Sequence, residues 1–411
     1  MIHALRAFRH PNFRLFFGGQ SVSLVGTWVQ QIAMNWLIYR LTGSAWLLGL
    51  VGFASQAPVL LLSPLAGAWC DRLDRRKLLL TTQTLFLLHA FLLAYLAYSG
   101  LAVPWLLLLL AGALGMIVAF DTPVRQSLLS DLVDKKEDLP SAIAMNSAIM
   151  NGGRLVGPSI AGIMLAMLSE ALCFFVNGFS KLAVIGAALA MRIPARPAAV
   201  AKQSVLGELR QGLSYARSFP PVRILLPVVA VMSFMAMPYQ SLMPIFAAEM
   251  FLGGPRTLGF LIGAAGLGAL GGTVFLAARR GIGGLPRVIL AAVSVVGGAQ
   301  ILFAYCQVLW ISLLLMMALG CGIICTGSSI NIILQTVVDD DKRGRVMSLY
   351  ITAFLGSAPL GSLAEGALAH RIGVQPTMLI AGICCLAAAF WLGRRLPDLR
   401  AGIGAVHSSK P

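Results

Sequence analysis

Long apolar stretches alternate with short polar segments along almost the whole chain. A helix needs about 20 apolar residues to cross the hydrocarbon core of a bilayer. The pattern predicts an all-α integral membrane protein with twelve transmembrane helices, called spans 1 to 12 below. These spans are predicted at residues 14–40, 45–69, 78–99, 103–122, 141–167, 171–191, 222–247, 257–278, 286–305, 309–333, 346–369 and 374–393.

The composition supports a membrane protein. The chain is 58% hydrophobic and 11% charged, whereas soluble domains are about 45–50% apolar and about 25% charged. The predicted spans also fill nearly the whole chain of 411 residues. The sequence therefore leaves no room for a large soluble domain.

The composition changes between span 6 and span 7. Residues 192–221 are rich in arginine and proline, and their apolar residues recur at helical spacing, which indicates a short amphipathic helix on the cytoplasmic membrane face. Similar short sequences occur at corresponding places before and after this segment, such as Leu48–Gly52 and Leu258–Gly263, which indicates a duplicated six-helix unit. The predicted domains are residues 1–191, the linker 192–221, residues 222–396 and a flexible cytoplasmic tail at 397–411.

Positive charges lie mainly on one side of the predicted membrane topology. The net charge is +16, with 31 Lys and Arg residues. Cytoplasmic loops carry the Lys and Arg excess in membrane proteins, so the bias predicts that both termini are cytoplasmic. It also accounts for the basic chain without a nucleic-acid partner. Five Lys and Arg residues lie outside the predicted cytoplasmic segments. They are Arg40, Arg256 and Arg371 at outward loops, and Arg154 and Lys181 inside spans.

The sequence lacks the patterns of the common enzyme and cofactor sites. Its seven cysteines have neither metal-site nor disulfide-framework spacing. It has no G-x-x-x-x-G-K-[ST] nucleotide loop, no H-E-x-x-H pattern and no G-x-S-x-G pattern. We therefore expect no metal, no cofactor and no enzymatic activity, and ATP is not expected to be the direct energy source.

Three segments resemble the major facilitator superfamily. The charged run Gly67–Lys77 is similar to the loop 2–3 motif of that superfamily, with Asp74 where the motif usually has glycine. Asn151–Gly162 in span 5 resembles the glycine-proline motif of its exporters. Pro123–Val133 and Arg343–Leu349 resemble the siderophore-exporter and drug-efflux branch that includes the enterobactin exporter.

The resemblance covers the entire chain and implies a fold and a function. The fold is two pseudo-symmetric six-helix bundles with a substrate site between them. The implied function is alternating-access export of siderophores, drugs or similar amphiphilic metabolites by a monomer in the bacterial inner membrane. The implied partners are a small-molecule substrate and the lipid bilayer, with protons as a further expectation. An uptake permease for a small organic anion and a lysophospholipid transporter or flippase stay open as alternatives.

Polar side chains inside the spans are the candidate substrate contacts. Amides facing lipid would lack hydrogen bonds, so the polar stripe of span 1 faces a cavity or other helices. The charged residues of spans 5 and 6 contact an anion or form fixed interior pairs. The methionine and aromatic residues beside Pro238 in span 7 adapt to apolar ligands or simply pack. The candidates are Thr27, Gln30, Gln31, Asn35, Asn151, Arg154, Lys181, Met237, Tyr239 and Gln240.

The resemblance gives the charged loop a different role, that of a conformational latch. It implies that Asp71 faces the N-terminal end of span 11 and holds the two halves together in the outward-open state. A carboxylate at a helix N-terminus gains about 0.3–1 kcal/mol. Asp121, at the inner end of span 4, is expected to pair with Arg72 or Arg75. The latch residues are Gly67, Asp71, Arg72, Arg75, Arg76, Asp121 and Arg345.

Proton coupling would require a buried carboxylate. The chain has 15 Asp and Glu residues, and few of them lie inside spans. Asp121 and Glu365, the latter toward the outer end of span 11, are the two candidates. His89 in span 3 is expected to be a hydrogen-bonded core residue.

Overall fold

The structure is a computed structural model that describes residues 2–70, 73–133, 135–191, 219–279 and 281–409. Within these ranges the chain forms helices joined by short loops, with 3-10 helices at Ile2–Arg9 and Lys136–Asp138 and a π-helical turn at Phe246–Met250. The α-helices of the described residues are α1 (Pro11–Thr42), α2 (Ala45–Cys70), α3 (Arg75–Tyr98), α4 (Pro104–Leu129), α5 (Leu139–Met167), α6 (Glu170–Ala190), α7 (Pro220–Met235), α8 (Tyr239–Ile245), α9 (Pro255–Ala277), α10 (Leu285–Tyr305), α11 (Leu309–Val337), α12 (Asp340–Ile372) and α13 (Val374–Ser409).

The helices match the predicted spans. Ten stretches of the described residues are long and apolar enough to cross a membrane, and α7, α8 and the π-helical turn together form one of them. The other two predicted spans correspond to α1, which carries the polar stripe, and α5, which contains two shorter apolar pieces. Both are as long as the other helices, at 32 and 29 residues. The all-α, multi-pass membrane architecture is therefore confirmed.

The first of two compact units contains residues 1–201 and 252–263. Glycines bring its helices close together. Gly26 of α1 lies against α6, where an added Cβ would be 2.7 Å from Asn177 Oδ1. Gly162 of α5 lies against Gly259 at the start of α9, where an added Cβ would be 2.6 Å from the opposing Cα. Such small residues let helix backbones approach closely in a membrane, which brings the polar side chains of α1 and α6 together.

The second unit contains residues 202–251 and 264–411. Its apolar core is formed by buried side chains of α7, α10, α11, α12 and α13, among them Val229, Ile289 and Ile333. α9 and α11 cross at Gly268 and Gly320, and each of these glycines lies directly against a backbone carbonyl of the other helix. The linker 192–221 lies almost wholly outside the described residues, so its amphipathic helix stays a prediction.

The C-terminal segment differs from the flexible tail expected at 397–411. α13 continues without interruption to Ser409. Leu399 and Ile403, four residues apart and so on one face of the helix, are buried in the core of the second unit. Gly402, beside them, lies against Pro221, where an added Cβ would be 3.0 Å from the ring. Residues 397–409 continue the helix, and the apolar face formed by Leu399 and Ile403 packs in the same core as the start of α7.

Candidate functional site

The polar stripe of α1 is divided between the interior and an exposed surface. Gln20, Ser23 and Gln30 are buried, whereas Thr27 and Gln31 are exposed and Asn35 is half-buried. An exposed amide inside a membrane span requires a hydrogen-bond partner that lipid cannot give. The exposed part of the stripe is therefore the part suited to contact with water or a substrate.

Gln30 takes part in hydrogen bonds between helices. Its Oε1 accepts from Asn177 Nδ2 of α6 at 2.7 Å, and its Nε2 lies 3.4 Å from His89 Nδ1 of α3. His89 Nε2 lies 3.0 Å from the carbonyl oxygen of Leu110 in α4, which assigns the proton to Nε2. Four helices are joined in this way. For Gln30 the structure shows the interhelical alternative, and a direct substrate contact stays a prediction.

Lys181 of α6 is 4% exposed and points toward α1. Its Nζ donates to Ser23 Oγ at 2.8 Å and to Thr27 Oγ1 at 2.7 Å, and it lies 3.4 Å from the Ser23 carbonyl oxygen. The ring centroid of Phe86 is 5.2 Å away, within range of a cation–π interaction. Among the described residues no carboxylate forms an ion pair with it. Three oxygen acceptors match the three N–H donors of an ammonium group, so neutral groups hold the charge directly behind the exposed Thr27.

Asp121 of α4 is 1% exposed and has three partners. Its Oδ1 accepts from Thr82 Oγ1 at 2.9 Å and from Gln83 Nε2 at 2.8 Å, both on α3. Its Oδ2 forms an ion pair with Arg125, one turn along α4, whose Nε is 2.7 Å away. The Nε–H bond of Arg125 is not aligned for a hydrogen bond. The carboxylate therefore joins α3 to α4 in the interior of the first unit.

The expected pairing of Asp121 with Arg75 is wrong. Arg75 Nη1 binds Asp131 Oδ2 at 2.7 Å, and it also lies 3.3 Å from the carbonyl oxygen of Ser127. Arg75 is the first residue of α3, and its contact with Asp131 joins the start of α3 to the end of α4. Asp121 lies at least two helical turns before the end of α4. The alternative partner, Arg72, lies outside the described residues.

The charged loop stabilises the ends of two helices. Asp74 is the N-cap of α3, since its carboxylate accepts from the backbone N–H groups of Arg76 and Lys77 at 2.9 and 3.1 Å. Arg76 donates from Nε and Nη2 to the carbonyl oxygens of Ala188 and Leu189 at 2.8 and 2.6 Å. These carbonyls belong to the last turn of α6, where a positive charge is favourable. Asp74 thus accepts two backbone hydrogen bonds that a glycine, which has no side chain, could not accept.

We expect Arg76→Ala to lower the free energy of unfolding by about 1.5 kcal/mol, because two carbonyl groups lose a charged donor. Equilibrium unfolding in mixed detergent micelles measures this change. Lys77→Ala is the matched control, since the Lys77 side chain is exposed and the hydrogen bonds of this residue are made by its backbone. Equal stability of the two variants would contradict the capping role.

Several predicted residues lie outside the description. Asp71 and Arg72 lie outside the described residues, and Gly67, Asn151 and Arg154 are described only by their backbone position in α2 or α5. Arg345 is half-buried near the start of α12. The latch and the anion contact at Arg154 therefore stay predictions.

The second unit contains a broken membrane helix. α7 ends at Met235 and α8 begins at Tyr239, because Pro238 lacks the N–H that would continue the helix. Met237 lies in the break and is half-buried, while Tyr239 is buried and its hydroxyl accepts from Gln240 Nε2 at 3.4 Å. The three span 7 candidates are therefore adjacent at this break.

Two buried polar residues near this break have atoms without partners. Gln300 of α10 donates from Nε2 to the carbonyl oxygen of Met235 at 3.0 Å, while its Oε1 has no partner among the described residues. Both carboxylate oxygens of Glu365 on α12 also lack a described partner. Gln300 was not among the predicted residues, although an isolated amide in the apolar span 9 could have indicated it. Arg125 was not predicted either, although its four-residue spacing from Asp121 could have indicated the ion pair.

Comparison with known protein families decides the class of this chain. The profile of the family described as transmembrane secretion effector matches residues 2–407. The chain belongs to this family of major facilitator superfamily transporters. The predicted resemblance to the superfamily is thereby confirmed, and the transmembrane secretion effector described here is a multi-pass membrane transporter of a small-molecule substrate.

Relatives of this transmembrane secretion effector cover nearly its whole length. It is 27% identical to a staphyloferrin A transporter of Staphylococcus aureus, over 93% of this chain and 96% of the relative. It is also 27% identical to the multidrug efflux pump Tap of Mycolicibacterium fortuitum, over 90% and 92% of the two chains. A bacterial homologue of the human lysosomal transporter Spinster, solved in an inward-facing conformation, shares the fold with a TM-score of 0.72 at 14% identity, over 95% and 98% of the chains.

Proposed function

We propose that this transmembrane secretion effector exports siderophores, drugs or similar amphiphilic metabolites across the bacterial inner membrane by alternating access, with both termini in the cytoplasm. The observation that carries the proposal is its full-length similarity to a siderophore transporter and to a multidrug efflux pump. The excess of Lys and Arg in the predicted inward loops supports the orientation.

The exposed polar surface of α1 supports a substrate contact in the first unit. Thr27 and Gln31 are one turn apart and exposed, and Asn35 continues the same side of the helix. Lys181 binds the Thr27 hydroxyl from behind, so it places positive charge close to this surface. We assign Thr27, Gln31 and Asn35 to direct contact, and Gln30 and Lys181 to the support of that surface.

In the second unit, Met237, Tyr239 and Gln240 are the proposed contacts. They lie at a helix break, which is where membrane transporters commonly place substrate and ion sites. Methionine and aromatic side chains adapt to ligands of varied shape, which suits a transporter of amphiphilic molecules. Asn151 and Arg154 complete the set as contacts for polar or anionic groups of the substrate.

The proposed latch comprises the loop 67–77, with Asp71 as its acidic residue, and Arg345. Its support is the resemblance of this loop to the superfamily motif. Asp121 is better described as a structural residue of the first unit, since its carboxylate is bound by α3 and by Arg125. Proton coupling then depends on Glu365, the other candidate acid.

Vesicle transport tests the direction and the substrate class together. Staphyloferrin A or the cationic dye ethidium is added to proteoliposomes that contain the purified protein. The same probes are added to inverted and right-side-out vesicles from a deletion strain, with and without the restored gene. Export predicts accumulation in inverted vesicles that depends on the gene. Accumulation only in right-side-out vesicles would favour the uptake permease, and movement of labelled lysophospholipid alone would favour the flippase.

We expect Arg154→Ala to weaken the apparent affinity for a carboxylate-bearing siderophore about tenfold or more, because a hydrogen bond to a charged group contributes about 1.5–3 kcal/mol. Concentration-dependent transport in proteoliposomes measures this change. Ethidium, which is a cation, should be transported with little change and serves as the control substrate. Unchanged siderophore transport in a correctly folded variant would remove Arg154 from the site.

A further inference from the structure

A transmembrane helix of the second unit is interrupted by three residues. α7 ends at Met235 and α8 begins at Tyr239. Pro238 has no N–H, so the carbonyl of Phe234 cannot receive the usual helical hydrogen bond from the residue four positions later. Discontinuous helices form many transporter binding sites. The groups around this break are therefore candidates for a binding role.

Two neighbouring helices contact the break. Gln300 of α10 is fully buried and donates to the carbonyl oxygen of Met235 at 3.0 Å. Gly361 of α12 lies against the break. A Cβ added at Gly361 would be 2.8 Å from the ring of Pro238 and closer still to the carbonyl oxygen of Phe234. One amide and one close backbone approach therefore hold the break from the neighbouring helices.

Glu365 lies one turn beyond Gly361 on the same face of α12. It is 4% exposed, and among the described residues neither of its carboxylate oxygens has a hydrogen-bond partner. An ionised carboxylate is strongly disfavoured in surroundings that offer it neither water nor a hydrogen-bond donor, whereas a neutral carboxylic acid is tolerated far better. The described conformation therefore suits the protonated acid.

The helices packed against α12 bring no counter-charge to this level. These helices are α7, α8, α11 and α13. Between their polar ends, their titratable side chains are Tyr239, Cys321, Cys325, Cys384 and Cys385. Their arginines lie near the helix ends, at Arg223 in the first turn of α7 and from Arg394 onward in α13. On α12 itself, His370 and Arg371 are exposed and lie on other faces of the helix.

We propose that Glu365 is the proton-binding carboxylate of the transport cycle and that its protonation state controls the break between α7 and α8. This inference rests on the proposed export function and adds the coupling site to it. A hydronium ion reaching the carboxylate from the outer side gives the carboxylic acid and one water molecule. The acid later gives its proton to water on the inner side and becomes a carboxylate again.

The break between α7 and α8 is the part of the structure around Glu365 that can respond to a change in its protonation. An ionised Glu365 is stabilised only when water or hydrogen-bond donors reach it. Pro238 donates no helical hydrogen bond to the carbonyl of Phe234, and Phe246–Met250 after α8 forms a π-helical turn, a feature frequent at functional sites. Gly361 presents no side chain to the moving segment. Displacement of α8 therefore admits water at a small cost in hydrogen bonds.

A proton suits this position better than a metal ion. Metal cations such as Ca²⁺ require several oxygen ligands that converge on one point. Within the described part of the chain, no group of three or more His, Cys, Asp or Glu side chains converges in this way. A single buried carboxylate without a partner is sufficient for binding and releasing a proton.

Infrared difference spectroscopy of the purified full-length protein tests proton binding without any substrate. The wild type should show the carbonyl band of a buried carboxylic acid at acid pH and lose it at alkaline pH. Glu365→Gln should lack this band, whereas Glu249→Gln, which changes an exposed glutamate, should keep it. A band of full amplitude in Glu365→Gln would overturn the proposal.

Hydrogen–deuterium exchange of the same proteins tests the link to the helix break. After correction for the intrinsic pH dependence of exchange, residues 234–242 of the wild type should exchange less at acid than at alkaline pH. Glu365→Gln mimics the neutral acid and should give the acid pattern at both pH values, while Glu365→Asp should restore the response. The link is wrong if Glu365→Gln retains the wild-type response.

Transport assays separate a failure of this inference from a failure of the export function. If proteoliposomes move staphyloferrin A or ethidium without any effect of a pH gradient or of Glu365→Gln, export stands and the coupling site is wrong. If neither probe moves while the infrared and exchange signals depend on Glu365, the proton site stands and the proposed export function is wrong.

Discussion

Asp121→Ala is expected to lower the free energy of unfolding by about 3 kcal/mol, because it leaves a partly buried guanidinium group without its counter-charge. Asp121 is 1% exposed, and the side chain of Arg125 is 22% exposed. The substitution also removes the acceptor of Thr82 and Gln83, which joins α3 to α4. Equilibrium unfolding in mixed detergent micelles measures the loss.

A double substitution and an exposed pair provide the controls. Replacing both Asp121 and Arg125 by leucine should recover much of the stability, since an apolar pair needs no counter-charge. Glu170→Gln should cost less than about 1 kcal/mol, because its partner Arg40 is largely exposed to solvent. A loss in Asp121→Ala no larger than that in Glu170→Gln would show that the interior ion pair contributes little.

Gly268→Ala and Gly320→Ala should each destabilise the second unit by about 1–3 kcal/mol, the usual cost of forcing extra volume into a packed interior. At the crossing of α9 and α11, a Cβ at Gly268 would overlap the carbonyl of Met317, and one at Gly320 would overlap the carbonyl of Ala265. Neither obstacle is a flexible side chain, so the two helices must separate. Thermal unfolding in detergent, monitored by the fraction of protein that remains monodisperse, measures the loss of stability.

Gly271→Ala is the matched control on the same helix. An added Cβ at Gly271 has no neighbour within 4 Å, so no backbone needs to move. Alanine is favoured over glycine inside a helix by about 1 kcal/mol, so this variant should be as stable as the wild type or slightly more stable. If all three variants lose stability equally, the loss does not come from the close crossing of α9 and α11.

The sequence predicted the number and order of the membrane helices because hydrocarbon imposes a long apolar stretch on each of them. It placed several ends incorrectly. α4 continues to Leu129 and α12 begins at Asp340, whereas the spans were predicted to end at 122 and begin at 346. Hydropathy indicates where the hydrocarbon ends, and a helix can continue into water as long as its backbone hydrogen bonds persist.

The partners of the charged residues were harder to predict than the helices. Asp121 and Arg125 are four residues apart, so their pairing follows from helix geometry alone. The pairing of Arg75 with Asp131 depends on how α3 packs against α4, which no local pattern contains. Helical spacing likewise places Gln30 and Thr27 on one side of α1, but only the positions of α3 and α6 decide that one is buried and the other exposed.

The extended C-terminal helix has a consequence for biogenesis. The core of the second unit joins Val222, in the first helix of that unit, to Leu399 and Ile403 in its last helix, α13. Ribosomes deliver these segments in order, so α7 enters the membrane long before its last packing partners exist. This core can close only after residue 403 has left the ribosome. Until then the start of α7 depends on lipid or on insertion chaperones, and shortening the chain before Leu399 should leave the protein more exposed to membrane proteases.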